Sequence, residues 1–248
     1  MKVSFCTTCM GRLYHLEQTI LRNIEAVADY DECEFILLDY NSKDGLKEWA
    51  AENLDVHMKT GRVKYYRTDE PSYYISSHAK NLAHKMASGD ILCNIDSDIT
   101  IPNGFCDFIK GVFLENENSI ISFDSKDRQG NNGCAGIIAA KREHFYSVNG
   151  YDEKIYLGWG YDDMNYQFRC RMHNNLRLVT PEPICSCIDH SNEVRSENFQ
   201  LKDIVASRDI SYAICLAAAD NEDYVANKDE EWGKAVLFKN FSDIPLEA

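Results

Sequence analysis

The chain has 248 residues, in which 26 Lys and Arg face 40 Asp and Glu, for a formal net charge of −14. That excess of acid argues against non-specific nucleic-acid binding and against attraction to anionic lipid, and no run approaches the ~18–20 apolar residues of a membrane span. A chain of this length can bury roughly 70–75% of its unfolded surface, so it needs no disulfide or metal staple to fold.

Residues 2–6 read as a first strand, followed by a loop, Thr7-Thr8-Cys9-Met10-Gly11-Arg12. Leu13, Leu16, Ile20, Ile24 and Val27 then recur at three and four, one apolar helix face. Glu34 to Leu38 is a second buried strand ending in Asp39. Asp44-Gly45 opens a helix with Leu46, Trp49 and Ala50, and Val63 to Tyr66 is a third strand. Ala79, Leu82, Ala83 and Met86 give another helix face before the strand at Ile91–Ile95, which ends in Asp96-Ser97-Asp98. Alternating strands and helices over the first hundred residues predict a parallel sheet with helices on both faces. Neither the GxGxxG fingerprint nor the GxxxxGK[ST] phosphate loop occurs.

Beyond Asp98 a helix is expected from Ile101-Pro102-Asn103-Gly104 to about Glu115, then strands at Ser119–Phe123 and Cys134–Ala140. Residues 124–133 between them are polar and turn-rich and read as a mobile loop. A short helix covers Arg142 to Val148. Gly158-Trp159-Gly160-Tyr161-Asp162-Asp163 leads into a helix to about His173. Leu176–Val179 and Ile184–Ile188 read as strands, the second closed by Asp189-His190, and a helix follows through Ile204–Ala217. The acidic tail from Asp220 carries no assignable pattern. Ten cysteines, several inside apolar runs, read as small buried hydrophobes kept reduced in a cytoplasm. Cys6/Cys9 and Cys185/Cys187 have the spacing of zinc pairs but lie at apolar strand ends without the tight loops of zinc knuckles.

Four places could carry chemistry. Asp96 and Asp98 leave a buried strand at the carboxyl edge of the sheet, where open α/β folds bind ligands, and can share one Mg²⁺ or Mn²⁺ with phosphate oxygens. Asp162 and Asp163 begin a helix; one can cap it while the other, about 100° around the axis, faces a cleft as a general base. Glycines on both sides of Trp159 let the indole be presented for stacking on a sugar. His190, at the end of a buried strand, could complete a carboxylate site as a nitrogen ligand. Asp39, ending its own strand on the same sheet edge, reads either as a turn residue for the Asn41–Gly45 loop or as an acceptor for a base or ribose.

These segments together resemble nucleotide-sugar glycosyltransferases of the GT-A fold, specifically family 2-like bacterial enzymes whose second half is similar to the galactosyltransferase family 7 C-terminal region. Thr7 to Arg12 is similar to the start of the nucleotide pocket. Asp39-Tyr40-Asn41-Ser42-Lys43-Asp44 is similar to the family's D-D-x-S-x-D stretch, with Tyr40 replacing the second Asp. Ser77 to Ala83 is similar to the helix start that approaches the donor, Asp96-Ser97-Asp98 to the DxD, and Gly158 to Asp163 to the W-G-x-E/D-D segment.

The resemblance implies an α/β GT-A fold: a Rossmann-like, mostly parallel central sheet with helices on both faces and a smaller acceptor-side subregion. Residues 1–98 would be the nucleotide-binding half and 99–200 the acceptor and metal-completing half, with 201–248 a helical extension packed on them. It also implies a metal-dependent inverting transfer from a UDP-sugar to a saccharide or glycolipid acceptor, in bacterial surface or capsular polysaccharide synthesis. The enzyme would be cytoplasmic or peripheral at the inner membrane face, without a transmembrane segment or nucleic-acid partner. Asp98 and His190, with Asp96 nearby, would hold Mn²⁺ or Mg²⁺. Asp163 would be the base. Thr7, Thr8, Arg12, Asp39, Lys80, Asn81, Asp96 and Ser97 would bind the nucleotide, and Trp159, Gly160, Tyr161 and Asp162 the sugar and acceptor. A retaining transferase, a sugar-1-phosphate nucleotidyltransferase and a non-catalytic saccharide- or nucleotide-binding module are the rival expectations.

Overall fold

A computed structural model describes residues 1–124, 134–182, 184–228 and 231–247. The elements in chain order are β1 (Val3–Cys9), α1 (Leu13–Ala26), β2 (Cys33–Tyr40), α2 (Leu46–Asn53), α3 (Asp55–Lys59), β3 (Val63–Thr68), α4 (Ser76–Met86) and β4 (Ile91–Asn94). They continue as β5 (Ile99–Thr100), α5 (Phe105–Glu115), β6 (Ser119–Ser122), β7 (Ile138–Lys141), α6 (Arg142–Ser147), α7 (Asp162–Asn174), β8 (Arg177–Val179) and β9 (Ser186–Cys187). The chain closes with α8 (Asn192–Ser196), α9 (Ile204–Asp220), β10 (Val236–Lys239) and β11 (Pro245–Glu247).

The central sheet runs β11-β10-β3-β2-β1-β4-β7-β6-β8. Its middle, β3-β2-β1-β4, is parallel. Pleating divides each of these strands between two cores. Val3, Phe5, Phe35 and Leu37 face one side, packed with Leu16, Ile20 and Ile24 of α1 and Phe105 and Ile109 of α5. Cys6, Ile36, Leu38 and Tyr40 face the other, with Ala79, Leu82 and Ala83 of α4 and Tyr166 and Cys170 of α7. Strands buried on both faces explain why the sequence shows continuous apolar runs there rather than alternation. Each fully buried Leu or Ile in them contributes about 1.5–3 kcal/mol relative to exposure.

The first half thus forms the expected α/β layers. The second half differs in two respects. β7 begins at Ile138 rather than Cys134 and lies antiparallel against β4; residues 125–133 of the expected mobile loop lie outside the described residues. The segment after residue 200 is also more than a helical extension. Its α9 is followed by β10 and β11, and β10 joins β3 antiparallel, extending the central sheet. Hydrophobic periodicity finds α9 but cannot find the four-residue β10, whose pairing partner β3 lies some 170 positions away, or the three-residue β11 that pairs with β10 in turn. No helix among the described residues is long and apolar enough to cross a membrane.

Candidate active site

β4 delivers the first carboxylates. Beyond Asn94 the chain leaves the sheet through buried Ile95 into Asp96-Ser97-Asp98. Asn94 Nδ2 donates to Asp96 Oδ1 (2.9 Å) and to the Gly136 carbonyl (2.6 Å), and Thr19 of α1 donates to the Ser97 carbonyl (2.7 Å). Gly136 allows this approach, since a Cβ there would collide with the Asp96 carboxylate.

Asp98 meets His190 through a small separate sheet. β5 pairs antiparallel with β9, Ile99 opposite Cys187, and the Ile188 amide donates to the Asp98 carbonyl (2.9 Å). His190 Nε2 thereby comes within 2.9 Å of Asp98 Oδ2. The sequence reading placed His190 at the end of a buried strand. In fact β9 has two residues, Ser186 exposed and Cys187 half-buried, and its only described partner is β5. The imidazole is nonetheless delivered to the Asp98 carboxylate, and the edge of buried His15 lies against it, ring centroids 5.4 Å apart.

A hard carboxylate oxygen and an imidazole nitrogen in contact suit a Mn²⁺-type ion. Asp96 does not join them, and among the described residues no three His, Cys, Asp or Glu side chains converge on one point. An ion held by Asp98 and His190 therefore needs oxygens from a ligand to complete its shell.

The second carboxylate pair opens α7. Tyr161, at φ 65°, is the N-cap and makes no side-chain capping bond. The expectation that one carboxylate caps the helix is not met; both turn to a lysine. Lys80 Nζ, on α4, donates to Asp162 Oδ2 (2.8 Å) and Asp163 Oδ1 (2.6 Å) and stands 4.0 Å from Asp96 Oδ1. Its side chain is 4% exposed, those of Asp162 and Asp163 8% and 22%. Burial alone would strip the lysine's proton, but Asp162, Asp163 and Asp96 outweigh it and hold the ammonium charged. The two aspartates diverge. Burial pushes Asp162 up, but Lys80 and the Ser76 hydroxyl overcome it and leave the carboxyl below its usual range. Asp163 is pushed well above that range, by burial first and then by Asp162 and Asp96, which Lys80 offsets only in part. One carboxylate stays ionised while its neighbour is ready to take a proton, the separation that acid–base chemistry uses.

These groups line one pocket of about 490 Å³. Of the residues singled out in the sequence, Thr8, Arg12, Lys80, Asp96, Ser97, Asp98, Trp159, Asp162, Asp163 and His190 line it. Thr7, Asp39, Asn81, Gly160 and Tyr161 do not. Thr7 Oγ1 donates to the Ile95 carbonyl (2.9 Å). Asn81 is spent on both backbone groups of Tyr151 and on Glu153. Asp39, 1% exposed, accepts from Tyr65 Oη (2.7 Å) and the Ser42 amide (2.8 Å), the bonds of a turn residue. Lys80, expected as a nucleotide contact, stands as the cation between the carboxylates. The glycines around Trp159 serve close packing: a Cβ at Gly158 would strike Ser207 of α9, and one at Gly160 (φ 117°) would lie 3.0 Å from Arg208 Cγ. His15, Gly136, Arg195 and Arg208 were missed. No local motif surrounds them; Gly136 arrives on the segment before β7, bonded to Asn94, and the closing of α1, α8 and α9 on the pocket brings in the other three.

Residues 4–159 match the model of the family described as Glycosyl transferase family 2. Among solved structures, the chain is similar to the mannosyltransferase PcManGT from Pyrobaculum calidifontis in complex with GDP-Man and Mn²⁺ (17% identity, TM-score 0.63, covering 88% of this chain and 75% of that one). It is similar also to S. aureus TarS 1–349 in complex with UDP-GlcNAc (13%, 0.58, 77% and 59%). A third likeness is to GalNAc-T7 with UDP, GalNAc and Mn²⁺ (15%, 0.59, 81% and 45%). The chain thus spans about three fifths of the TarS 1–349 chain, and at these identities the likeness speaks for the fold. No curated protein matches it by sequence.

Proposed function

The chain belongs to glycosyl transferase family 2, and from that premise we propose that it is a metal-dependent inverting transferase moving a sugar from a UDP-sugar to a saccharide acceptor. The fold is GT-A and the activity class glycosyltransferase; donor, metal and stereochemistry are the proposal. The observation that carries it is the pair of unlike aspartates at the start of α7, facing Asp96 and the Asp98–His190 contact across one pocket.

Asp98 and His190 would hold Mn²⁺ or Mg²⁺, which when bound supplies positive charge to the departing diphosphate. Thr8, Arg12 and Ser97 line the donor side. Asp163 takes the proton of the acceptor hydroxyl as that oxygen bonds to the anomeric carbon and the bond from that carbon to the diphosphate breaks. With Asp163 as the base, the acceptor oxygen displaces the diphosphate in a single step, hence inversion. Lys80 keeps Asp162 ionised and both carboxylates in place, leaving Asp162 to orient hydroxyls. Trp159 offers an aromatic wall for a sugar ring. Assembly of a bacterial surface or capsular saccharide at the cytoplasmic face is the biological setting this reading carries.

The test is a panel of UDP- and GDP-sugars with Mn²⁺, scored for binding and slow hydrolysis, followed by NMR of the product's anomeric configuration. Binding of a UDP-sugar and an inverted product are expected. Retention, pyrophosphate formation from a nucleoside triphosphate, or no donor binding together with unchanged metal affinity in Asp98→Ala would each overturn the reading.

A further inference from the structure

The pocket carries four cations, and two of them are already committed. Lys80 is held by Asp162 and Asp163, and Arg12 stands in the field of Asp98 and donates to the Val194 carbonyl (2.5 Å). The other two are not. Arg195 of α8 and Arg208 of α9 line the same pocket, and among the described residues neither guanidinium is paired with a carboxylate. In a chain with 40 acidic residues against 26 basic ones, and beside four pocket aspartates, that is an unusual placement.

Both converge on one ring. The Arg195 guanidinium lies 4.7 Å from the Trp159 ring centre and that of Arg208 6.0 Å from it and 5.8 Å from the Tyr161 ring centre. The arrangement is fixed by packing: Ser207 donates to the Trp159 carbonyl (2.7 Å), and the stem of Arg208 lies over Gly160. Stacking on aromatic faces holds a guanidinium flat while leaving its in-plane N–H fork free for an anion. Apart from one contact of Arg195 with Asn192 (3.2 Å), that fork has no described protein acceptor on either residue.

We propose that Arg195 and Arg208, held on Trp159, form a subsite for an anionic group of the acceptor, a carboxylate or phosphate carried near the reacting hydroxyl. The inference rests on the transferase reading above and names the acceptor's chemical class. It assigns the anion to the acceptor because Trp159, on which both guanidiniums rest, and Tyr161, on which Arg208 also rests, lead directly into Asp162 and Asp163, the start of the helix that carries the base. The donor diphosphate would be served by Asp98, His190 and Arg12; Arg12 reaches the Val194 carbonyl beside Arg195, so the UDP arm of the test separates the two assignments. A neutral saccharide offers the two guanidiniums hydroxyl acceptors but no opposite charge, whereas an acidic one approaching this acidic protein needs local positive charge.

The test measures binding of matched oligosaccharide pairs, a uronate-bearing or phosphate-bearing member and its carboxyl-reduced or dephosphorylated counterpart, by quenching of tryptophan fluorescence. The proteins are the full chain, Arg195→Gln/Arg208→Gln and Arg195→Lys/Arg208→Lys; UDP binding with Mn²⁺ is measured in parallel. The expected result is that an anionic member binds at least about tenfold more tightly than its neutral partner. The glutamine variant should abolish that preference with UDP affinity intact, and the lysine variant should keep part of it. The uronate and phosphate arms tell which anion is taken. Equal binding within every pair, no binding of any anionic member, or a preference that survives the glutamine variant overturns the proposal, as does a loss confined to UDP, which would assign the arginines to the donor. Absence of UDP binding by the unaltered chain would instead count against the transferase reading, leaving the saccharide comparison to be read on its own.

Discussion

A buried and a half-buried carboxylate at opposite ends of the central sheet show how one scaffold uses the same group in opposite ways. Glu34 stands at the amino edge, 1% exposed, across from Ser4 of β1. It accepts from Lys2 (2.8 Å), Ser4 (2.7 Å) and the amide and hydroxyl of Ser88 (2.7 and 2.9 Å), and pairs with Lys64 (2.7 Å). Burial would raise its carboxyl, but these partners win and drive it far below the ordinary range. Asp163 stands beyond the carboxyl edge, where one lysine serves three aspartates, and goes the other way. Full compensation makes a structural joint; partial compensation leaves a proton acceptor. The sheet's polarity sorts them, since loops at the carboxyl edge can vary without disturbing the strands.

That contrast predicts substitutions of opposite sign. Asp163→Asn should lower sugar transfer about 10²–10⁴-fold while raising stability by about 1 kcal/mol, because an under-compensated carboxylate is removed. Transfer rates and urea midpoints on the same preparations check both. An active Asp163→Asn enzyme would remove Asp163 from the base role and dissolve the comparison. Glu34→Gln should cost about 3 kcal/mol of stability, leaving Lys2 and Lys64 without their anion, and leave the rate of the folded protein within about twofold.

The sequence made the active edge more legible than the structural one. Asp96, Asp98, Asp162 and Asp163 announce themselves because carboxylates interrupt apolar runs or follow a glycine-flanked tryptophan. Glu34 gives no such signal: it heads an apolar strand, and what compensates it lies at positions 2, 4, 64 and 88. Within the active edge, what could be read locally was the identity of the carboxylates and of His190. Their partners could not be read that way. Lys80 reaches Asp162 and Asp163 from over eighty residues upstream, and Arg195 and Arg208 depend on how α8 and α9 close over the pocket. β10 was illegible for the same reason, since its pairing with β3 is a tertiary fact, and β11 is placed only through β10.

pH separates the two ends further. The raised carboxyl of Asp163 predicts transfer that climbs with pH as the base loses its proton, and Lys80→Met, by removing the cation that lowers it, should move that limb to higher pH. A limb that stays in place would deny Lys80 this influence. Stability responds differently. His84 is 1% exposed, stacked on Phe145 (5.1 Å), and held down to about 4 from 6.5, chiefly by burial. The unfolded chain therefore binds the extra proton first, and up to about 3 kcal/mol is lost as pH falls from about 6.5 to about 4. Glu34, whose folded value is depressed, keeps its contribution above about 4.5 and loses it as acid drives the pH lower. Urea midpoints across pH for the unaltered chain and His84→Phe check the first window, which should flatten in the variant.

Asp39 is the case that decides whether position or compensation does the sorting. It lies at the carboxyl edge, paired in register with Cys9, yet both oxygens are taken up by Tyr65 and the Ser42 amide, and it does not line the pocket. Tyr65 is itself fixed by the C-terminal segment, since its ring stacks on Phe241 (4.7 Å) and its amide donates to Asn240 Oδ1 (3.0 Å). If its two bonds make it a structural joint, although burial still raises its carboxyl against Tyr65, Ser42 and Arg67, Tyr65→Phe removes one bond and costs about 1 kcal/mol, with UDP affinity changed less than about twofold. If position decides, the same substitution frees a carboxylate oxygen beside the nucleotide side of the sheet and shifts UDP affinity while stability barely moves. Isothermal titration of UDP with Mn²⁺ alongside urea unfolding separates the two. Each Asp39 oxygen holds one bond and can accept a second, so the change in UDP affinity, rather than the bond count, tells whether this carboxylate serves the nucleotide.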